Sequence, residues 1–145
     1  MSYTTLRYSG QTFLNMFLEE IVDSKEFVAI RKKLSKTQKQ MAQLLGTSVK
    51  AIHSYEQGWR SIPVHAERQI YFILSRINGS PEDQEPCWVK KKCPFELRVQ
   101  CPAWEFQVGD LCWFINGTIC EGTVKKDWRE KIKICKSCEV FKSAM

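Results

Sequence analysis

TQKQMAQLLGTSVKAIHSYEQG, residues 37–58, is the stretch whose reading decides the fold of the first half of the chain. Thr37 followed three residues later by Gln40 has the spacing of a capping box, and Ser35 with Gln38 fits the same formula. The helix opened there buries Met41, Leu44 and Leu45. Gly46 can take the left-handed conformation that closes it. Ser48 can cap a further helix, which stops at Gly58. Only Thr47 separates Gly46 from Ser48, so the two helices must turn sharply against each other, and Ala42 is small enough to let them approach.

The neighbouring segments are also helical. Phe27, Ile30 and Leu34 fall at i, i+3 and i+7, an apolar stripe on an otherwise basic helix. Beyond Pro63, which suits a first helical turn, residues 70–74 supply a closing helix. Further upstream, Phe13, Met16, Phe17 and Ile21 form another stripe, either a cover for the core or a dimer contact. The pair around Gly46 thus reads as a helix-turn-helix within a larger helical bundle.

The run from Thr37 to Gly46, followed by Ser48, Ile52, Tyr55, Glu56 and Gly58, resembles the XRE-like family of Cro and phage-repressor helix-turn-helix proteins. The likeness covers roughly residues 26–76. It implies a bundle of about five helices with the third, from about Val49 to Gln57, in the DNA major groove. Ile52 and Tyr55 would then face the core, while Val49, Lys50, His53 and Ser54 face base edges. Lys50 can donate to guanine O6/N7 and Val49 can pack on a thymine methyl, although Val49 departs from the polar residue usual there. Gln38 matches the family's phosphate-contacting glutamine, Ser48 heads the reading helix, and Arg60 beside Trp59 offers a cation and a ring to the backbone. Double-stranded DNA and a homodimer are the partners this implies.

Charge agrees in sign. Residues 1–80 carry 11 basic against 6 acidic side chains, a net +5, while residues 81–145 carry 11 against 10, a net +1. A basic first half suits phosphate contact. No apolar run approaches the roughly 20 residues of a membrane span, and Glu19, Glu20 and Asp23 interrupt the only apolar stretch that a signal peptide could use. A cytoplasmic protein is expected.

The second half differs in composition. All seven cysteines (Cys87, Cys93, Cys101, Cys112, Cys120, Cys135 and Cys138) lie in the last 59 residues, with four of the five tryptophans. Dense cysteines in a cytosolic chain point to metal or redox chemistry more than to structural disulfides. Cys135-x2-Cys138 is the one recognised ligand spacing, and with no histidine in this half a site would be all-thiolate. Tetrahedral sulfur suits zinc or an iron–sulfur cluster. Disulfides or a metal-free fold are the other readings.

Residues 111–120, LCWFINGTIC, read as a β-hairpin with a type I′ turn at Asn116-Gly117. Trp113 would then pair with Cys120 and Cys112 would face Glu121, so Cys112 and Cys120 could not share a metal. Asp127 with Glu130 caps a short helix carrying Trp128, Ile132 and Cys135 on one face. The series Cys87-Trp88, Cys93-Pro94, Cys101-Pro102-Ala103-Trp104, Cys112-Trp113, Gly117-Thr118-x-Cys120 and Cys135-x2-Cys138-x-Val140-Phe141 resembles a cysteine-rich module with two Cys-Trp pairs found beside bacterial sensor and regulator domains.

The expected protein is α+β: an all-α helix-turn-helix bundle over residues 1–77, a linker at 78–86, and a cysteine-rich domain with a β-hairpin and a short helix at 87–145. Its expected function is sequence-specific transcriptional regulation, with the cysteine-rich module binding a metal or cluster and sensing redox or metal state. The competing reading is a protein-interaction adaptor with a structural zinc domain. No catalytic triad, nucleophile elbow, P-loop or paired-carboxylate motif is visible, so no enzyme is expected, with a redox-active Cys135/Cys138 pair left open.

Overall fold

The computed structural model describes residues 22–78 and 85–145. The stripe at Phe13, Met16, Phe17 and Ile21 and most of the expected linker lie outside them. The described chain is mostly helical with one two-stranded antiparallel sheet, an α+β composition. It forms two compact units that meet between Glu67 and Arg68, earlier in the chain than the linker expected at 78–86.

The first unit starts with α1 (Ser24–Lys33), capped by Asp23, whose carboxylate accepts from the Glu26 amide at 2.7 Å. Helix α2 (Gln38–Leu45) has a complete capping box between Thr37 and Gln40. The alternative at Ser35 fails because Ser35 takes a left-handed φ of 55° in the α1–α2 turn. Gly46, at φ 65°, closes α2, and the Thr47 amide donates back to the Ala42 carbonyl at 2.9 Å. Ser48 caps α3 (Val49–Gln57) through its hydroxyl, which accepts from the Ala51 amide at 3.0 Å.

Helices α1 and α2 both pack on α3. Phe27, Met41 and Ile52 are wholly enclosed, with Ala42, Ala51 and Leu45 around them and the Phe27 ring edge-on to Tyr55 at 5.8 Å. Leu44 departs from expectation: it is 40% exposed. Nothing lies within 4 Å of where a Cβ on Gly46 would stand. Gly46→Ala should therefore cost only the left-handed backbone strain, about 1–2 kcal/mol. Urea unfolding checks this, and a loss above that range would mean the turn is crowded.

Helix α4 (Val64–Asn78) runs across the unit boundary, and its residues from Arg68 onward belong to the second unit. The physical reason is aromatic. Tyr71 lies edge-on to Trp113 at 6.4 Å and to Phe141 at 5.3 Å, and Phe72 meets Phe114 at 5.3 Å. Arg68 donates to the Phe114 carbonyl at 2.6 Å and covers the Phe114 ring.

Four helices of a single turn follow: α5 (Cys87–Lys90), α6 (Phe95–Arg98), α7 (Pro102–Glu105) and, after a 3-10 turn at Gly109–Leu111, α8 (Cys112–Ile115). Strand β1 (Ile119–Cys120) pairs with β2 (Thr123–Val124), placing Ile119 opposite Val124 and Cys120 opposite Thr123. Helices α9 (Trp128–Lys136) and α10 (Glu139–Ala144) complete the unit. Asp127 caps α9 as expected, and Trp128, Ile132 and Cys135 are buried along one of its faces.

The expected hairpin over residues 111–120 is a correction. Residues 112–115 are helical, and Asn116 keeps a right-handed φ of −75° where a type I′ turn needs a positive one. Only Gly117 turns left-handed, at φ 58°, so the Asn-Gly pair ends a helix. The hairpin that does form turns at Glu121-Gly122, both with positive φ (51° and 76°). Burial of Trp113 against Tyr71 and Phe141 overrides the strand propensity of its aromatic and β-branched neighbours.

Candidate functional site

The first candidate surface lies on α3. Val49 is 44% exposed, and Lys50 and His53 are exposed beside it. One helical turn supplies all three, since Ala51, Ile52 and Tyr55 point inward and fix the outward face. Trp59, 71% exposed, lies edge-on to His53 at 5.4 Å and extends this face, with Arg60 exposed next to it.

Two of the expected contact residues have hydrogen-bond partners within the unit. Ser54 is buried and its hydroxyl donates to the Lys50 carbonyl at 3.0 Å, so it does not face base edges. On a helix with a 100° step, position 54 falls with 51 and 55 on the inner side. Gln38 donates its side-chain amide to Glu56, which also binds Arg31 Nε at 2.5 Å. That amide is thus engaged within the unit. Ser48 is exposed with its hydroxyl used as the α3 cap.

The second candidate is a cavity of about 50 Å³ in the cysteine-rich unit, walled by all seven cysteines. They arrive on different elements. Cys87 and Cys112 open α5 and α8, Cys93 and Cys101 precede α6 and α7, Cys120 ends β1, Cys135 lies in the last turn of α9, and Cys138 precedes α10. Cys112 and Cys120, expected on opposite sides of a ribbon, face one cavity because residues 112–115 are helix. All seven are free thiols. Among the described residues, no three side chains of Cys, His, Asp or Glu converge as ligands of one metal ion.

The surroundings of the thiols are specific. Cys112 donates to Cys87, which holds the Cys87 thiol below its ordinary range, and that bond together with burial pushes Cys112 well up. Burial also raises Cys93 and Cys120. It pushes Cys135 up to about 12, against the opposing charge of Lys131. Buried thiols of this kind stay protonated until a cation displaces the proton.

Sequence reasoning missed three groups in this wall. Lys131 on α9 is 2% exposed, lines the cavity, and donates Nζ to the Gly117 carbonyl at 3.1 Å. Asn116 is buried and donates Nδ2 to Cys101 Sγ at 3.3 Å while accepting from the Ala103 amide at 2.8 Å. Lys91 pairs with Glu121 at 2.7 Å. Burial works to lower its pKa, but the hydrogen bond and charge of the Glu121 carboxylate, with the negative charge of Cys138 and Cys120 once ionised, outweigh it and raise the group above its ordinary range. A stripe reading of α9 could have found Lys131, since positions 128, 131 and 135 are three and four residues apart.

Trp88 and Trp104 cross edge-on at 5.0 Å on the cavity wall, with Arg98 over the Trp104 ring at 5.3 Å. Behind them Gly109 leaves no room for a side chain, because a Cβ there would stand 2.5 Å from Pro86 Cβ and 2.8 Å from Trp88. Gly109→Ala is expected to destabilise this unit by about 1–3 kcal/mol, the usual cost of overpacking. Thermal unfolding measures it, and an unchanged midpoint would show that Pro86 and Trp88 give way freely.

No helix among the described residues is long and apolar enough to cross a membrane. Comparison with protein-family models, with curated proteins and with solved structures gave no match for this chain.

Proposed function

We propose that this protein is a sequence-specific DNA-binding transcriptional regulator whose cysteine-rich unit carries a thiolate-bound metal centre. The observation that carries the reading is the outward face of α3, where Val49, Lys50 and His53 are exposed while Ala51, Ile52, Ser54 and Tyr55 are buried. In this reading α2 and α3 are a helix-turn-helix of the XRE-like kind and α3 enters the major groove. Lys50 donates to guanine O6/N7, Val49 packs on a thymine methyl, and His53 reads a neighbouring base edge. Trp59 and Arg60 contact the backbone, which positions α3 without reading sequence. Two heads of a dimer bind half-sites one helical turn apart, and the state of the metal centre alters their affinity by a coupling of about 1–3 kcal/mol.

Selection from randomised duplexes followed by anisotropy titration tests this. Lys50→Ala should weaken binding to the selected duplex by about 1–3 kcal/mol, roughly 5- to 150-fold, and relax preference at one position. Arg60→Ala should weaken all duplexes alike and reduce the salt slope by about one. Failure to enrich any sequence, or wild-type affinity in Lys50→Ala, would sink the reading.

A further inference from the structure

We infer that the cavity walled by the seven cysteines holds a sulfide-bridged iron cluster, with the buried Lys131 ammonium as its fixed counter-charge. The inference rests on the reading above in taking the cavity as a metal site, and it stands independently of whether α3 reads DNA.

Three observations lead to it. Seven thiols from widely separated positions face one space, which side-chain packing alone does not require. A single zinc ion, or zinc ions sharing thiolates, needs sulfurs about 3.8 Å apart, as zinc–sulfur bonds of about 2.3 Å in a tetrahedron impose. Among the described residues no three ligand side chains meet in that way. A sulfide-bridged cluster places its own irons and inorganic sulfides between the thiolates and so accepts a wider ring of cysteines.

Volume points the same way. An enclosed water needs about 10–15 Å³, so a cavity of about 50 Å³ takes roughly four such atoms, more than one ion fills.

Charge is the third observation. An ammonium buried without an anion is strongly unfavourable, yet Lys131 is 2% exposed and lines this wall. Arg98 lines it too, while Lys91 and Glu121 neutralise each other, leaving a surplus of two positive charges. Four thiolates around a dicationic core, whether one zinc ion or an iron–sulfur core, carry a charge of about −2. Charge thus calls for a metal–thiolate occupant, and the ligand spacing and volume distinguish the cluster. Net charge and hydrogen bonds to sulfur are what the surrounding protein uses to tune such a group. Asn116, donating to Cys101 Sγ at 3.3 Å, is a hydrogen bond of that kind.

The test uses the full chain, purified without oxygen and incubated with sulfide and equal parts of ferrous and ferric iron, which together supply the oxidation level of a dicationic core. Iron and acid-labile sulfide should appear in roughly equal amounts, with a broad absorbance near about 400 nm from thiolate-ligated iron. Zinc without labile sulfide, or a folded chain that takes up neither iron nor sulfide, would overturn the inference. Lys131→Met should lose iron to a chelator at least about tenfold faster, the usual weight of a group supporting a metal ligand, and Lys131→Arg should restore retention. Equal retention in both variants would remove Lys131 from the site. Titrating the same samples with the selected duplex separates the two readings: iron and sulfide without DNA binding refute the regulator alone, and DNA binding with zinc refutes the cluster alone.

Discussion

Glu56→Ala is expected to destabilise the first unit by about 3–5 kcal/mol, because it strips the anion from a buried pair and leaves the cation behind. Glu56, at the end of α3, is 5% exposed in its side chain and holds Arg31 from α1, itself 17% exposed, at 2.5 Å. The same carboxylate accepts from Gln38 at the start of α2. One side chain therefore joins α1, α2 and α3. After truncation the guanidinium keeps its bond to the Lys36 carbonyl at 2.9 Å and loses its counter-charge. Glu56→Gln retains an acceptor and should lose clearly less. Hydrogen exchange at the Ile52 amide reports the opening of this unit by itself, and a loss below about 1 kcal/mol would rank the pair with exposed ion pairs. Binding of the selected duplex should fall with the unit's stability, since these helices hold Val49, Lys50 and His53 in place.

Trp113→Ala should cost the second unit about 3–5 kcal/mol, the range for removing a large aromatic from a core. Trp113 is fully enclosed and lies edge-on to Tyr71 of α4 at 6.4 Å and to Phe141 of α10 at 5.5 Å. It follows Cys112 directly in α8, so collapse of the void would displace a thiol of the cavity wall. Loss of iron and sulfide retention should therefore accompany the loss of stability. Trp113→Phe is expected to be much milder: it keeps a ring and removes an indole N–H that is buried without a hydrogen-bond partner. Chemical unfolding followed at the remaining tryptophans checks both. If the alanine variant kept wild-type stability, the aromatic triangle would not be the unit's anchor.

The contrast between the halves explains what the sequence made legible. Helices α1 to α3 are eight to ten residues long with side-chain caps at Asp23, Thr37 and Ser48, so periodicity and capping chemistry point to the same answer. Helices α5 to α8 have four residues each, too few for any period to register. Asn116-Gly117 misled because the pair suits both a hairpin turn and a helix end, and tertiary burial of Trp113 decided between them. Ser54 came with the family likeness of α3, and the 100° helical step turns it inward with Ala51 and Tyr55. The cysteines were legible as a group, but their shared cavity was not, since seven ligand positions on separate elements leave no local spacing. Lys131 is one of three lysines in α9, and only its place on the stripe of Trp128 and Cys135 distinguishes it.

Those four single-turn helices also bear on how long the protein survives in a cell. A helix of four residues has no stability of its own, because nucleation is unfavourable and a segment below about 12 residues is marginal in water. Their order depends on what they surround. An empty cavity would leave this unit opening often, and transient opening is what proteases act on. Starvation for the cavity's occupant should then shorten the half-life of the chain, and pulse-chase measurement under iron limitation would reveal it. The amount of protein present, and not only its affinity for a target, would carry the signal.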